Sequence, residues 1–103
     1  MADFKGNRNI TQGINIAINP LIQIMMWNMI DHNISKGLEM DYLQIFELKP
    51  DREVEKYQEI IHTQEKPERK DVVVVNFGIK PVLATIFVID SNEYVTMMLA
   101  EEY

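Results

Sequence analysis

At 103 residues the chain has the length of one domain. With 47% hydrophobic and 25% charged residues it has the composition of a folded globule, which excludes a disordered chain. The lack of cysteine removes disulfides, thiolate nucleophiles and thiolate metal sites together, and ten Lys and Arg against sixteen Asp and Glu give a net charge of -6, the wrong sign for a surface that must neutralise nucleic-acid or lipid phosphate.

Met1 to Ile10 holds Asp3, Lys5, Asn7 and Arg8 around a single Phe4, which is neither the basic start nor the apolar run of a secretory signal. The longest nearly apolar stretch, Leu21 to Ile30, is broken by Gln23 and Asn28 and is about half of what a membrane span requires. A cytoplasmic chain with one domain over residues 1–103 is the expectation.

Arg8 to Ile18 reads as a short strand followed by a turn, from Ile10, Thr11, Ile14 and Ile16 punctuated by Gly13 and several Asn. Asn19-Pro20 is a helix start: Asn accepts a bond from an orphan N–H at the cap, and Pro fits the first helical position. The helix runs to about Lys36, where Gly37 supplies a left-handed stop. Beyond it the period changes to two. Strands are predicted over Tyr42 to Leu48, Tyr57 to Gln64, Asp71 to Phe77, Ala84 to Asp90 and Tyr94 to Ala100, separated by charged or turn-forming links. Short links favour antiparallel hairpins. The predicted fold is α+β, with one helix in the N-terminal half packed on a mostly antiparallel sheet of about five to six strands.

These strands are apolar on both sides. Val72 to Val75 put two valines on each face, and Ile86 and Val88 oppose Phe87 and Ile89. Five strands at about 4.8 Å make a sheet roughly 24 Å wide, while one helix covers a stripe of about 10 Å. Something else must cover the remainder: closure of the sheet, the N-terminal segment, a second copy or a different protein. On the helix, Ile22, Met26, Met29 and Ile30 gather on one side, with Ile34 and Trp27 at its margin. Leu21 and Ile24 fall among Asn28, Asp31, His32 and Ser35 on the other side. Single exposed apolar residues are ordinary, but together with the two-faced strands they make Leu21, Ile24 and Trp27 a candidate interaction surface and self-association the leading expectation.

Chemical motifs are sparse. His32 and His62 have no metal-ligand spacing, and no serine has a nucleophile motif around it. Glu47, Glu53, Glu55, Glu59, Glu101 and Glu102 read as solvated charges that deter edge aggregation. Gly6, Gly13, Gly37 and Gly78 are too far apart for a phosphate-cradling loop. Met25, Met26, Met29, Met97 and Met98 fit an ordinary core better than an adaptable patch. No catalytic, cofactor-binding or metal-ligating residue is assigned, and no cofactor is expected.

The segments Tyr42-Leu43-Gln44-Ile45-Phe46-Glu47-Leu48 and Ile60-Ile61-His62-Thr63-Gln64-Glu65-Lys66-Pro67 resemble a small Firmicutes family, domain of unknown function 960. Arg8-Asn9-Ile10-Thr11-Gln12-Gly13-Ile14 and the ending Met97-Met98-Leu99-Ala100-Glu101-Glu102-Tyr103 resemble the same pattern, so the likeness covers nearly the whole chain. It implies a cytoplasmic Gram-positive bacterial or phage-associated protein with no assigned activity, and so brings no catalytic residue with it. If that family has a polar site, the resemblance points to His62, Gln64 and Glu65.

Three functions follow. The first is a non-enzymatic protein-interaction or regulatory module that self-associates as a homodimer or binds another protein, with no nucleic-acid or membrane partner. The second is a small ligand-binding or enzymatic domain with a polar site around His62. The third is a phage-associated acidic inhibitor, disfavoured because Arg52, Lys56, Lys66, Arg69 and Lys70 interrupt the negative charge.

Overall fold

The period-two segments become strands, and the Asn19-Pro20 start becomes the main helix, in the computed structural model, which describes residues 2–103. Among those residues the order is β1 (Asn7–Ile10), α1 (Gln12–Ala17), α2 (Pro20–Ser35), β2 (Leu43–Pro50), β3 (Gln58–Gln64), β4 (Arg69–Val75), β5 (Ala84–Asp90) and β6 (Tyr94–Leu99). A 3₁₀ turn over Ala100–Glu102 follows.

The local signals of α2 act as expected. The Asn19 side chain accepts from the Leu21 N–H at 2.9 Å, Pro20 occupies the first turn, and Gly37 stops the helix at φ 73°. The segment before it differs from the sequence expectation. Arg8 to Ile18 is a strand and then a short helix, where a strand and a turn were predicted. Thr11 caps that helix by accepting from the Ile14 N–H at 3.3 Å, and Ile14 is fully buried. Burial of one isoleucine face outweighs the weak β preference of those residues.

All six strands join one sheet in the order β1-β6-β5-β2-β3-β4. The hairpins β2–β3, β3–β4 and β5–β6 are antiparallel as predicted, and residues 76–83 carry the chain back across the sheet so that β5 pairs antiparallel with β2. β1 lies parallel to β6, the one parallel pair in an otherwise antiparallel sheet, which makes the sheet mixed. Nearly the whole chain separates these two strands, so the connection length that parallel pairing demands is met. The architecture is α+β, with one main helix on a six-stranded mixed sheet. No helix among the described residues is long and apolar enough to cross a membrane.

The core lies between α2 and one face of the sheet. Ile22, Met26 and Ile30 of α2 meet Phe46, Leu48, Ile60, Ile86, Val88, Val95 and Met97 of the strands, all essentially inaccessible to water. Met26, Met29 and Met97 are core material as expected and Met25 packs partly against it, whereas Met98 points to the other face of the sheet. The N-terminal segment adds Phe4, which is 1% exposed and sits at φ 54°, a left-handed conformation that its packing must hold. Its N–H donates to Asp90 Oδ2 at 3.0 Å. Beside it, Gly6 passes so close to the β5–β6 turn that a Cβ there would lie 2.4 Å from the Asn92 carbonyl oxygen. The N-terminal segment therefore closes the helix-side core. Among the described residues no helix or strand lies over the second face, where Tyr103 from the C-terminal turn meets Phe87 edge-on.

Candidate functional site

Alternation puts Gln58, Ile60, His62 and Gln64 of β3 on the helix side, and Gln44, Phe46 and Leu48 of β2 beside them. Four polar side chains are thus driven into the buried layer and must find partners there. The His62 ring, 3% exposed, stacks on Phe46 with centroids 4.2 Å apart and planes 15° apart. Its Nε2 is 2.6 Å from Gln44 Oε1. That oxygen only accepts while the Gln44 amide donates to the Asp41 carbonyl at 2.8 Å and Gln64 Oε1 at 2.9 Å, so His62 donates from Nε2 and is the neutral Nε2–H tautomer. Gln64 then donates to the Pro67 carbonyl at 2.7 Å and the Glu39 carbonyl at 3.2 Å.

This network ties the loop after α2 and the β3–β4 turn to the sheet. It leaves one loose end: His62 Nδ1 is buried without a hydrogen-bond partner. Burial pushes the His62 pKa down to about 4, against the pull of Asp71 and with a small push from Arg69. At neutral pH the imidazole is uncharged. Asp71, directly opposite on β4, is occupied by the Asn33 amide at 3.2 Å.

Of the residues that the family resemblance pointed to, His62 and Gln64 come together through Gln44, while Glu65 stands exposed in the turn. Two cavities flank the network, and His62 lines neither. One, of about 380 Å³, lies between α2 and β4, with Met25, Met29, Asn33, Asp71 and Val73 in its walls. The other, of about 540 Å³, lies at the β3–β4 turn, with Gln64 and Glu65 both in its wall beside Thr63, Lys66 and Lys70. Among the described residues no three His, Asp or Glu side chains form a metal-holding group. Chemically the network can fix a tautomer and anchor two loops. Its imidazole is out of reach of a reacting molecule.

The candidate interaction residues on α2 divide. Leu21 and Ile24 are 50% and 54% exposed. Trp27 is half-buried beneath the Arg8 guanidinium, 4.9 Å from its ring centre, and Arg8 holds Asp31 through two bonds of 2.6 and 3.0 Å. The Asp31 bond raises the Arg8 pKa further. Trp27 is thus already covered from within the chain.

The second sheet face is a larger apolar surface. Leu43, Ile45, Ile61, Phe87, Ile89 and Met98 are half-buried there, and Val72 and Val74 are 49% and 44% exposed. Tyr103 meets Phe87 edge-on at 5.7 Å. The carboxylate of Glu102 holds that C-terminal turn by accepting from Thr11 Oγ1 at 2.7 Å and the Leu99 N–H at 2.8 Å, which lowers its pKa. Sequence reasoning missed Gln44 as the partner of His62. The available signal was parity: Gln44, Gln58, His62 and Gln64 all occupy positions that alternation assigns to the core side of their strands.

Comparison with known proteins bears on the fold and the family. A crystal structure of a protein of unknown function from Enterococcus faecalis is similar at a TM-score of 0.81 and 20% identity, over 95% of this chain and 91% of that one. At that identity the likeness shows the fold alone. No curated protein matches in sequence. Residues 7–102 match the family described as staphylococcal protein of unknown function (DUF960), and with nearly the whole chain spanned, this protein belongs to that family.

Proposed function

We propose that the chain is a non-enzymatic protein-interaction module of the cytoplasm that works as a homodimer, with the open sheet face of one copy packed on that of another. The observation that carries this reading is the face itself: large apolar side chains on five adjacent strands with no layer over them. Six strands of four to eight residues offer roughly 600 Å² of flat face, approaching the roughly 800 Å² that each partner contributes to a stable interface. Two such faces pack about 10 Å apart as a sandwich. The charges suit self-pairing as well. Lys49 is paired with Glu59 at 3.5 Å, and Glu47 and Lys70 supply one free charge of each sign, so a copy meets both attraction and repulsion in balance.

The alternative of a ligand or catalytic site around His62 has less behind it, because the ring is buried and lines neither flanking cavity. Sedimentation equilibrium at micromolar concentration tests the proposal. The expected result is a species of at least twice the chain mass, halved in mass and still folded in Phe87→Lys or Ile61→Lys. A wild-type chain that stays monomeric sinks it.

A further inference from the structure

The sheet has two edges, and they are built differently. β1 has only four residues, and the Asn9 side chain donates back to the Asn7 carbonyl at 3.1 Å, while Arg8 is tied to Asp31. A short, polar, self-satisfied strand is how natural sheets blunt an edge. β4 carries protecting charge only in its first half, at Arg69, Lys70 and Asp71. It is seven residues long, ends in four consecutive valines, and contains no proline. Among the described residues no backbone group of β4 bonds to anything but β3. Every second N–H and C=O along the outer side therefore points away from the sheet without a protein partner.

A second observation falls on the same edge. The cavity of about 380 Å³ is bounded by α2 and β4 alone, so it opens on the side where the next strand of the sheet would stand. Its walls include Met25, Met29 and Val73, an apolar lining with nothing seated against it.

We infer that β4 pairs antiparallel with β4 of a second copy of this chain, extending the sheet across a two-fold axis. One strand supplies both patterns in such an isologous contact, since each outward N–H of one copy faces an outward carbonyl of the other. Val73 and Val75 of the partner strand would lie on the helix side, at the mouth of the cavity. Size also fits. The wall presented by a strand of about 24 Å and a molecule 20 Å in its shortest dimension buries roughly 1,000 Å² over both copies, which is the threshold for a specific interface. This edge lies at right angles to the open face, so the inference stands independently of the face-to-face dimer; both contacts together give a tetramer of dihedral symmetry.

Two measurements test it. Residue-resolved amide hydrogen exchange at micromolar concentration reads the edge directly. Pairing slows the outward amides between Lys70 and Val75 to the rate of the inward ones; an alternation of slow and fast amides along β4 overturns the inference. Sedimentation then separates the two contacts. In Phe87→Lys, whose open face is charged, edge pairing leaves a dimer, and adding Val75→Lys at the edge reduces it to monomer. If Phe87→Lys alone is monomeric, the edge inference is wrong and the face reading stands. If wild type is a dimer that ignores Phe87→Lys but falls apart with Val75→Lys, the face reading is wrong and the edge stands.

Discussion

Ile60 and Ile61 are adjacent residues of β3, and one is inaccessible to water while the other is half-exposed. Phe46 and Phe87 repeat the contrast between paired central strands. Phe46 is fully buried against His62, whereas Phe87 has only strand neighbours and the edge of Tyr103. The two faces of this sheet are thus made of similar side chains and differ in what lies over them. α2, α1 and Phe4 converge on one face and leave the other bare. Composition decides that both faces are sticky. The connection between strands and helices decides which one is closed within the chain. An apolar residue on the closed face contributes to the folding of each molecule, and one on the open face contributes once a second layer arrives.

The largest expected effect breaks this comparison at its two phenylalanines. Phe46→Ala empties a packed site and removes the stack on His62, and should destabilise the fold by about 3–5 kcal/mol in urea unfolding. Phe87→Ala starts from a half-exposed ring and should cost about 1 kcal/mol in dilute monomer. At higher protein concentration its cost should grow, because association adds to stability by mass action. Equal losses for the two variants, independent of concentration, would show that the open face is already closed.

The next effect sharpens the same contrast through charge. Burial on the closed face holds the His62 pKa at about 4, below the value of about 6.5 in an unfolded chain. The unfolded state therefore binds a proton first as pH falls. The full contribution is present above about pH 6.5 and is lost between there and about pH 4, amounting to about 2 kcal/mol by pH 5. His62→Gln keeps a donor for Gln44 and removes the titration. Wild type should weaken more than this variant between pH 7 and pH 5, as read by the difference in urea midpoints. Parallel losses in the two proteins would mean that His62 takes up its proton without leaving the core.

Local chemistry made much of this legible in the sequence. Asn19, Pro20 and Gly37 bracket α2 almost to the residue, and β5 has the predicted bounds. Parity alone puts Ile60, His62 and Gln64 on one face of β3, but it does not name the partners of the polar ones. What could not be read was non-local. The parallel partnership of β1 with β6 joins residues more than eighty positions apart, and α1 forms where Ile14 finds a core, in a segment whose own preference is weakly extended. Gln44 lies eighteen positions from His62, and only the β2–β3 register shows that they meet. The excess of apolar surface was countable from the strands, but its address required strand order, because β4 becomes an edge only when the chain returns to pair β5 with β2.

The smallest expected effect concerns the outer side of α2, the competing location for a partner. Leu21 and Ile24 are about half exposed there, whereas the Trp27 ring beside them is spanned by Arg8. An isolated pair of exposed apolar side chains gains little from folding, so Leu21→Gln with Ile24→Gln should move stability by no more than about 0.5 kcal/mol. Both replacements are good helix formers, which keeps propensity from obscuring the result. The informative quantity is mass. If association uses the sheet, the double variant sediments as wild type does while Phe87→Lys does not. A double variant that becomes monomeric with unchanged stability would move the interface to the helix, and the apolar open face would then be exposed surface that the fold tolerates.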